Sequence, residues 1–129
     1  MKKLLIVLSV LVLIGCSPKN EEQQLLLISF DGFRADYLSK TATPNFDKLV
    51  KNGVTSEGLI PIFPTKTFPN HYAIATGLYP ENNGLIGNNM YDPEMEARYS
   101  MGNRDAVENP EWYLGEPIWN TVEKAGKRA

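Results

Sequence analysis

Residues 25–30 read LLLISF, apolar throughout but for one serine, and the run breaks at once into Asp31-Gly32-Phe33-Arg34. No alternation of apolar and polar positions runs through it, and it is too short for a buried helix. Such a run suits a strand covered on both faces, the kind found in a parallel sheet flanked by helices. The rest of the chain supplies the matching elements. In TATPNFDKLVKNGV, Thr43 is placed to cap a helix and Pro44 fits its first turn. Phe46, Leu49 and Val50 share one face there, and Gly53 ends it. VTSEGLIPIF, residues 54–63, reads as a second strand that Pro61 ends or confines to an edge. FPTKTFPNHYAIATGLYP reads as loop and then helix, from Phe68 or Pro69 to Thr76, with Gly77 as the stop. NNMYDPEMEARYSM turns at Asp92-Pro93-Glu94 and predicts a hairpin. GEPIWNTVEKAGKRA restarts a helix with Pro117 in its first turn. Ile118, Trp119, Val122 and Ala125 lie on one face, and Gly126 closes it. Strand, helix, strand, helix, hairpin, helix is an α/β order with parallel strands.

The amino-terminal residues belong to a different class. MKKLLIVLSVLVLIGC opens on Lys2 and Lys3, continues through an apolar stretch interrupted by Ser9, and ends at Gly15-Cys16. This is the pattern of a secretory leader, too short to span a bilayer comfortably. The ending LIGC resembles the lipobox of bacterial lipoproteins. That resemblance implies removal of residues 1–15, a lipid on Cys16, and a place in the bacterial cell envelope. Ser17, not being aspartate, implies outer-membrane sorting and so a place in the outer membrane or periplasm. An ordinary leader with an incidental cysteine is the alternative. SPKNEEQQ completes a polar tether over residues 16–24. With Cys16 as the first mature residue no cysteine follows, which excludes disulfides and cysteine-bound metal from the folded part. Residues 25–129 suffice for one small domain. The formal net charge is −2 and the basic residues are scattered, so no nucleic-acid wrapping surface is evident.

Two positions can carry chemistry. Asp31 closes the first apolar run at its carboxyl end, where ligands of open α/β sheets gather, and Gly32 permits a sharp turn beside it. Equally, Asp-Gly is a common turn pair. Thr67 stands at the expected start of the second helix, and Pro69 is tolerated in the first turn because its missing N–H would have no partner there. Unpaired N–H groups and a partial positive charge make that end receptive to an anion such as phosphate; a plain capping threonine is the other reading. A threonine hydroxyl needs activation by a base or a metal. His71, the chain's one histidine, lies a helical turn further on and is the local base available. A divalent ion shared by Asp31 and Thr67 is the stronger activator, since it lowers the hydroxyl's pKa and neutralises a phosphoryl oxygen together.

Three blocks, SFDGFRADYL, PTKTFPNHYAIATGLYPENNGLIGNNMYDP and NPEWYLGEPIW, resemble the nucleotide pyrophosphatase/phosphodiesterase family of the alkaline phosphatase superfamily. The resemblance covers residues 25–129 and makes them the N-terminal part of a catalytic domain. It implies an alkaline-phosphatase-like fold, a mostly parallel central sheet flanked by helices, here truncated at the C-terminus. It implies two zinc ions, with Asp31 and Thr67 as ligands of one, and Thr67 as the nucleophile. Thr65 is the lesser match. Asn88 matches the residue that donates to the phosphoryl oxygen, with Asn89 the neighbouring register and a turn asparagine the simpler use. Phe68 matches a residue lining the base pocket.

The implied reaction has two steps, through a phospho-threonine ester that water activated by the second zinc then cleaves. The substrate is a small-molecule phosphodiester or nucleotide. The family's further zinc ligands, two aspartates and three histidines, have no counterparts in these residues. The expectation is therefore a fragment without turnover of its own, with later strands missing and apolar faces left open. A lipid-anchored protein that binds a phosphate ligand without turnover, and a metal-free hydrolase using Thr67 with His71, are the competing readings.

Overall fold

The computed structural model describes residues 24–129. The leader, Cys16 and nearly all of the tether therefore lie outside the described residues. The core gathers around one antiparallel hairpin, β1 (Asn89–Asp92) and β2 (Ala97–Ser100), in the register Asn89 to Ser100 and Asp92 to Ala97. Asp92 makes the turn: its Oδ1 accepts the N–H groups of Glu94 and Met95, at 2.8 and 2.9 Å. Here an aspartate side chain stands in for a backbone acceptor at the turn the sequence predicts.

From the hairpin's inner face Tyr99 is buried together with Leu85, Ala106 and Trp112. Its ring meets Trp112 edge-on with centroids 5.5 Å apart, an arrangement favoured by the ring quadrupoles. The Tyr99 hydroxyl pairs with that of Tyr113 at 3.0 Å, and Tyr113 donates to the Val107 carbonyl at 2.9 Å. Burial, and then the bond to Tyr113, push the Tyr99 phenol well above its ordinary range.

The helices before the hairpin are α1 (Pro44–Asn52), α2 (Thr67–Thr76) and the short α3 (Pro80–Asn83). Those after it are α4 (Arg104–Glu108) and α5 (Ile118–Lys124), with 3₁₀ turns at Ala35–Ser39 and Pro110–Trp112. Pro44 opens α1 as expected, but the Thr43 hydroxyl bonds the Asp47 carboxylate at 3.0 Å rather than capping a backbone N–H. Gly77 stops α2 in the left-handed region at φ 69°, and Gly126 follows α5 at φ 73°. Pro117 stands one residue outside α5 as its N-cap, not in its first turn. Phe46 of α1 packs against Phe30 and Phe33, with centroids 6.1 and 6.2 Å away. That cluster ties the Asp31 segment to α1.

Asn83 is fully buried and holds α3 in place. Its amide donates to the Leu78 carbonyl, its Oδ1 accepts from Leu85 N–H, and its backbone carbonyl takes the N–H of Leu114. A buried amide is tolerated here because its polar atoms are paired.

The strand expectations need correction. Residues 25–30 and 54–63 form no ladder, and the hairpin is the one sheet among the described residues. Residues 25–30 are also exposed rather than covered, Leu26 retaining 81% of its surface. A parallel strand exists only through hydrogen bonds to neighbours, and no neighbouring strand is found among the described residues. Apolar faces are open along both segments.

Candidate functional site

Asp31 and Thr67, far apart in sequence, meet in space: the Thr67 hydroxyl lies 3.4 Å from Asp31 Oδ2. The encounter follows from local structure. Gly32, at φ 62°, turns the chain after Asp31 in a conformation most side chains avoid. On the other side Asn70 pins the loop before α2. Its Oδ1 accepts from Ile62 N–H at 3.0 Å and its amide donates to the Lys66 carbonyl at 2.8 Å. Thr67 is the first residue of α2, and the N-cap position belongs to Lys66, which caps nothing with its side chain. That shifts the expected helix start by one or two residues and frees the Thr67 hydroxyl from capping duty.

The first turn of α2 offers fewer free donors than its position suggests. Pro69 has no N–H, and Asn70 N–H bonds the Lys66 carbonyl at 3.2 Å. Phe68 N–H is taken by Asn88 Oδ1 at 3.1 Å. That bond fixes the Asn88 amide: with its oxygen engaged, its NH2 is the end left to donate. Asn88 is half-buried while Asn89 is exposed at the start of β1, so geometry favours Asn88 over the neighbouring register.

Phe68 turns its ring onto Tyr99, at a centroid distance of 6.3 Å, and is only half-exposed. Thr65 is exposed and directs its hydroxyl at the Ile62 carbonyl, 3.5 Å away. The structure thus brings Asp31, Thr67 and Asn88 to one end of α2 and leaves Thr65 and Asn89 aside.

His71 sits 3.9 Å from Asp31 Oδ1 through Nε2, and its Nδ1 is 2.7 Å from the Ser29 hydroxyl. No bond joins His71 to Thr67 among the described residues, so its placement serves Asp31 better than it serves the threonine. Ser29 escapes a reading of the sequence that sees only an apolar run, although it is the run's one polar residue. Beyond His71, an apolar cavity of about 380 Å³ opens along α2, walled by Leu27, Tyr72, Ile74 and Trp119 among others.

With Asp31 and Thr67 as donors, one divalent cation has two oxygens within reach of each other, an arrangement that fits a hard or borderline ion. No group of three or more His, Cys, Asp or Glu side chains suited to a metal occurs among the described residues. The pair therefore fits as part of a metal site, and full coordination needs other donors.

Comparison with known proteins gives the family of the chain. Residues 25–129 match the family model of type I phosphodiesterase / nucleotide pyrophosphatase. Human ectonucleotide pyrophosphatase/phosphodiesterase family member 1 is 48% identical over 116 residues, covering 88% of this chain and 12% of the relative. Venom phosphodiesterase 2 of Crotalus adamanteus is 44% identical over 116 residues, covering 88% of this chain and 14% of its own. Among solved structures, murine ectonucleotide pyrophosphatase/phosphodiesterase 5 superposes with a TM-score of 0.75 at 42% identity. That likeness covers 81% of this chain and 28% of the other, an inactive threonine-to-alanine variant in complex with AMP. These relatives are eukaryotic. The chain belongs to the type I phosphodiesterase / nucleotide pyrophosphatase family, and it spans only an eighth to a quarter or so of the relatives' lengths.

Proposed function

We infer that these residues carry the nucleophile half of a zinc-dependent phosphodiesterase or nucleotide pyrophosphatase active site. The observation that carries the reading is the 3.4 Å approach of the Thr67 hydroxyl to Asp31 Oδ2. Thr67 Oγ1 attacks phosphorus in line with the leaving oxygen, whose bond to phosphorus breaks as the threonine ester forms, and the hydroxyl proton passes through solvent to the departing alcohol or phosphate. Water then cleaves the phospho-threonine ester, which releases a nucleoside monophosphate and restores the hydroxyl. The Asn88 NH2, held by the bond from Phe68 N–H, donates to the non-bridging oxygen as charge builds there. Asp31 and Thr67 would hold one of two zinc ions; when bound, these lower the hydroxyl's pKa and neutralise phosphoryl charge. Phe68 presents its half-exposed edge to the base of a nucleotide substrate.

The mouse relative's inactive threonine-to-alanine form, seen with AMP, supports a threonine nucleophile and a nucleotide ligand. The mostly parallel sheet belongs to the same proposal, with residues 25–30 as one of its strands once neighbours cover them. Lipid attachment at Cys16 rests on the LIGC sequence alone and places the domain at a bacterial membrane surface. Radiolabelled palmitate incorporated by the wild type and not by Cys16→Ser is the expected result.

The function itself is tested in the full-length enzyme with a chromogenic nucleotide phosphodiester. Thr67→Ala lowers kcat by about 10³-fold or more, the scale on which nucleophiles act. Thr65→Ala stays within a few-fold of wild type. Equal losses from both would place the nucleophile elsewhere.

A further inference from the structure

Ser29 and His71 lie outside the group just described, yet they form a continuous path to it. The Ser29 hydroxyl is 2.7 Å from His71 Nδ1, His71 Nε2 is 3.9 Å from Asp31 Oδ1, and Asp31 Oδ2 is 3.4 Å from Thr67 Oγ1. We propose that Ser29 and His71 are positioning residues that orient the Asp31 carboxylate. They hold its Oδ1 toward the imidazole so that its Oδ2 faces the nucleophile and any cation the two share. The proposal rests on the functional reading above and extends it to two residues that the reading does not use.

The chemistry of the ring carries the argument. A neutral imidazole has one donor and one acceptor nitrogen, and whatever bonds the first decides the role of the second. A serine hydroxyl donating to Nδ1 leaves the proton on Nε2, the nitrogen facing the carboxylate. At 3.9 Å the Nε2–Oδ1 approach is too long for a hydrogen bond. It acts as an attraction between an N–H dipole and a charge, which is directional enough to choose between the two carboxylate oxygens.

Geometry also argues against His71 as the general base. A base must reach the proton it removes, and the imidazole faces Asp31 on one side and Ser29 on the other. Asp31 itself is two-thirds exposed on a turn, at 66% for its side chain, with little packing to fix its rotamer. A carboxylate so placed needs an outside partner to keep one orientation. Partners of this kind commonly alter metal affinity by about 10- to 100-fold when removed.

Since His71 is the chain's one histidine, its ring gives a single set of nitrogen resonances. In alkaline buffer, long-range proton–nitrogen NMR of the 129-residue chain is expected to place the ring proton on Nε2 almost entirely. Ser29→Ala should return the ring to the mixed populations of a free imidazole. A proton found on Nδ1, or populations unmoved by Ser29→Ala, overturns the proposal.

Zinc chloride titrated alone into the full-length enzyme, followed at the Asp31 and Thr67 amides, supplies a second readout. Ser29→Ala and His71→Asn are expected to weaken it about tenfold. His71→Gln, whose amide reaches the Nε2 position, should restore most of the loss. Equal weakening by His71→Gln and His71→Asn, or direct ligation of zinc by the ring, overturns the proposal. Zinc that fails to perturb the wild type counts against the metal reading, and the tautomer measurement then decides the brace alone. Near-ultraviolet circular dichroism of the Tyr99 core reports that each variant is folded.

Discussion

At the residue scale, the Asn88 amide shows how a backbone bond can assign a side chain its job. Its oxygen accepts the Phe68 N–H, so its NH2 is the group left to meet a phosphoryl oxygen. Asn88→Asp separates these two functions. The new carboxylate still accepts the Phe68 N–H, and the fold is kept, but the donor is replaced by a negative oxygen. Cleavage by the full-length enzyme should fall by about 10²- to 10³-fold, the usual loss when one transition-state donor is removed. Thermal stability should stay within about 0.5 kcal/mol, as for a surface change away from the core. A loss of stability matching the loss of rate would mean that Asn88 is a structural turn residue. Asp31 beside Gly32 and Thr67 before Pro69 stood out in the sequence as element boundaries, whereas Asn88 stood out through the family resemblance. Ser29 did not stand out, since nothing in an apolar run says which polar atom will face a histidine far along the chain.

At the element scale, the hairpin and helix ends were readable from their punctuation, and most of them formed. Asp92-Pro93-Glu94 turned, and Gly77 and Gly126 stand at their stops. The start of α2 lies one or two residues before the expected one, and Pro117 stands just outside α5 rather than in its first turn. Prolines announce a helix start without saying whether they stand just inside it or just before it.

Gly84 is the element-scale position with the least latitude. It sits at φ 81°, and a Cβ there would come within 3.0 Å of the Trp112 carbonyl oxygen and the Leu114 side chain. Gly84→Ala should destabilise the chain by about 2 kcal/mol, combining left-handed strain with a backbone clash. Urea unfolding followed at Trp112 measures it. Beyond α5's start, Glu116 accepts from Lys124 and from Thr121. These bonds, with the Lys124 contribution first, hold its carboxyl below the ordinary glutamate value. A depressed folded pKa means the contribution is complete above the unfolded value of 4.5 and is lost as pH falls through the lower folded value. Helicity of α5 should therefore decline in acid, and Glu116→Gln should remove that pH dependence.

At the scale of the whole molecule, the described residues form one packed region and one open one. Around the hairpin Tyr99 and Trp112 are covered; along residues 25–30 and 54–63 the apolar side chains are not, Ile60 keeping 90% of its surface and Phe63 keeping 89%. Their apolar runs and their length marked those segments for a covered place, and among the described residues they are instead largely exposed and without a strand partner. They could not supply the neighbours that would cover them, because burial belongs to the assembled sheet and not to any one strand.

The donors among the described residues are as few as the covering neighbours. Two oxygen donors are too few for an ion that takes about four protein ligands, and no further metal-binding group appears among the described residues. The expected outcome is a 129-residue chain that folds around Tyr99, binds 8-anilinonaphthalene sulfonate through its open apolar face, and cleaves no nucleotide phosphodiester in added zinc. Turnover by the purified chain that survives exhaustive chelation would shift the reading to metal-free chemistry by Thr67 and His71. Turnover that chelation removes would show that its own residues complete the zinc site. With neither, AMP titrated against the chain separates two cases: saturable binding near Thr67 marks a phosphate cradle that persists without its metals. Absence of binding means that the cradle, like the strand, takes shape only when the missing donors and neighbours are in place.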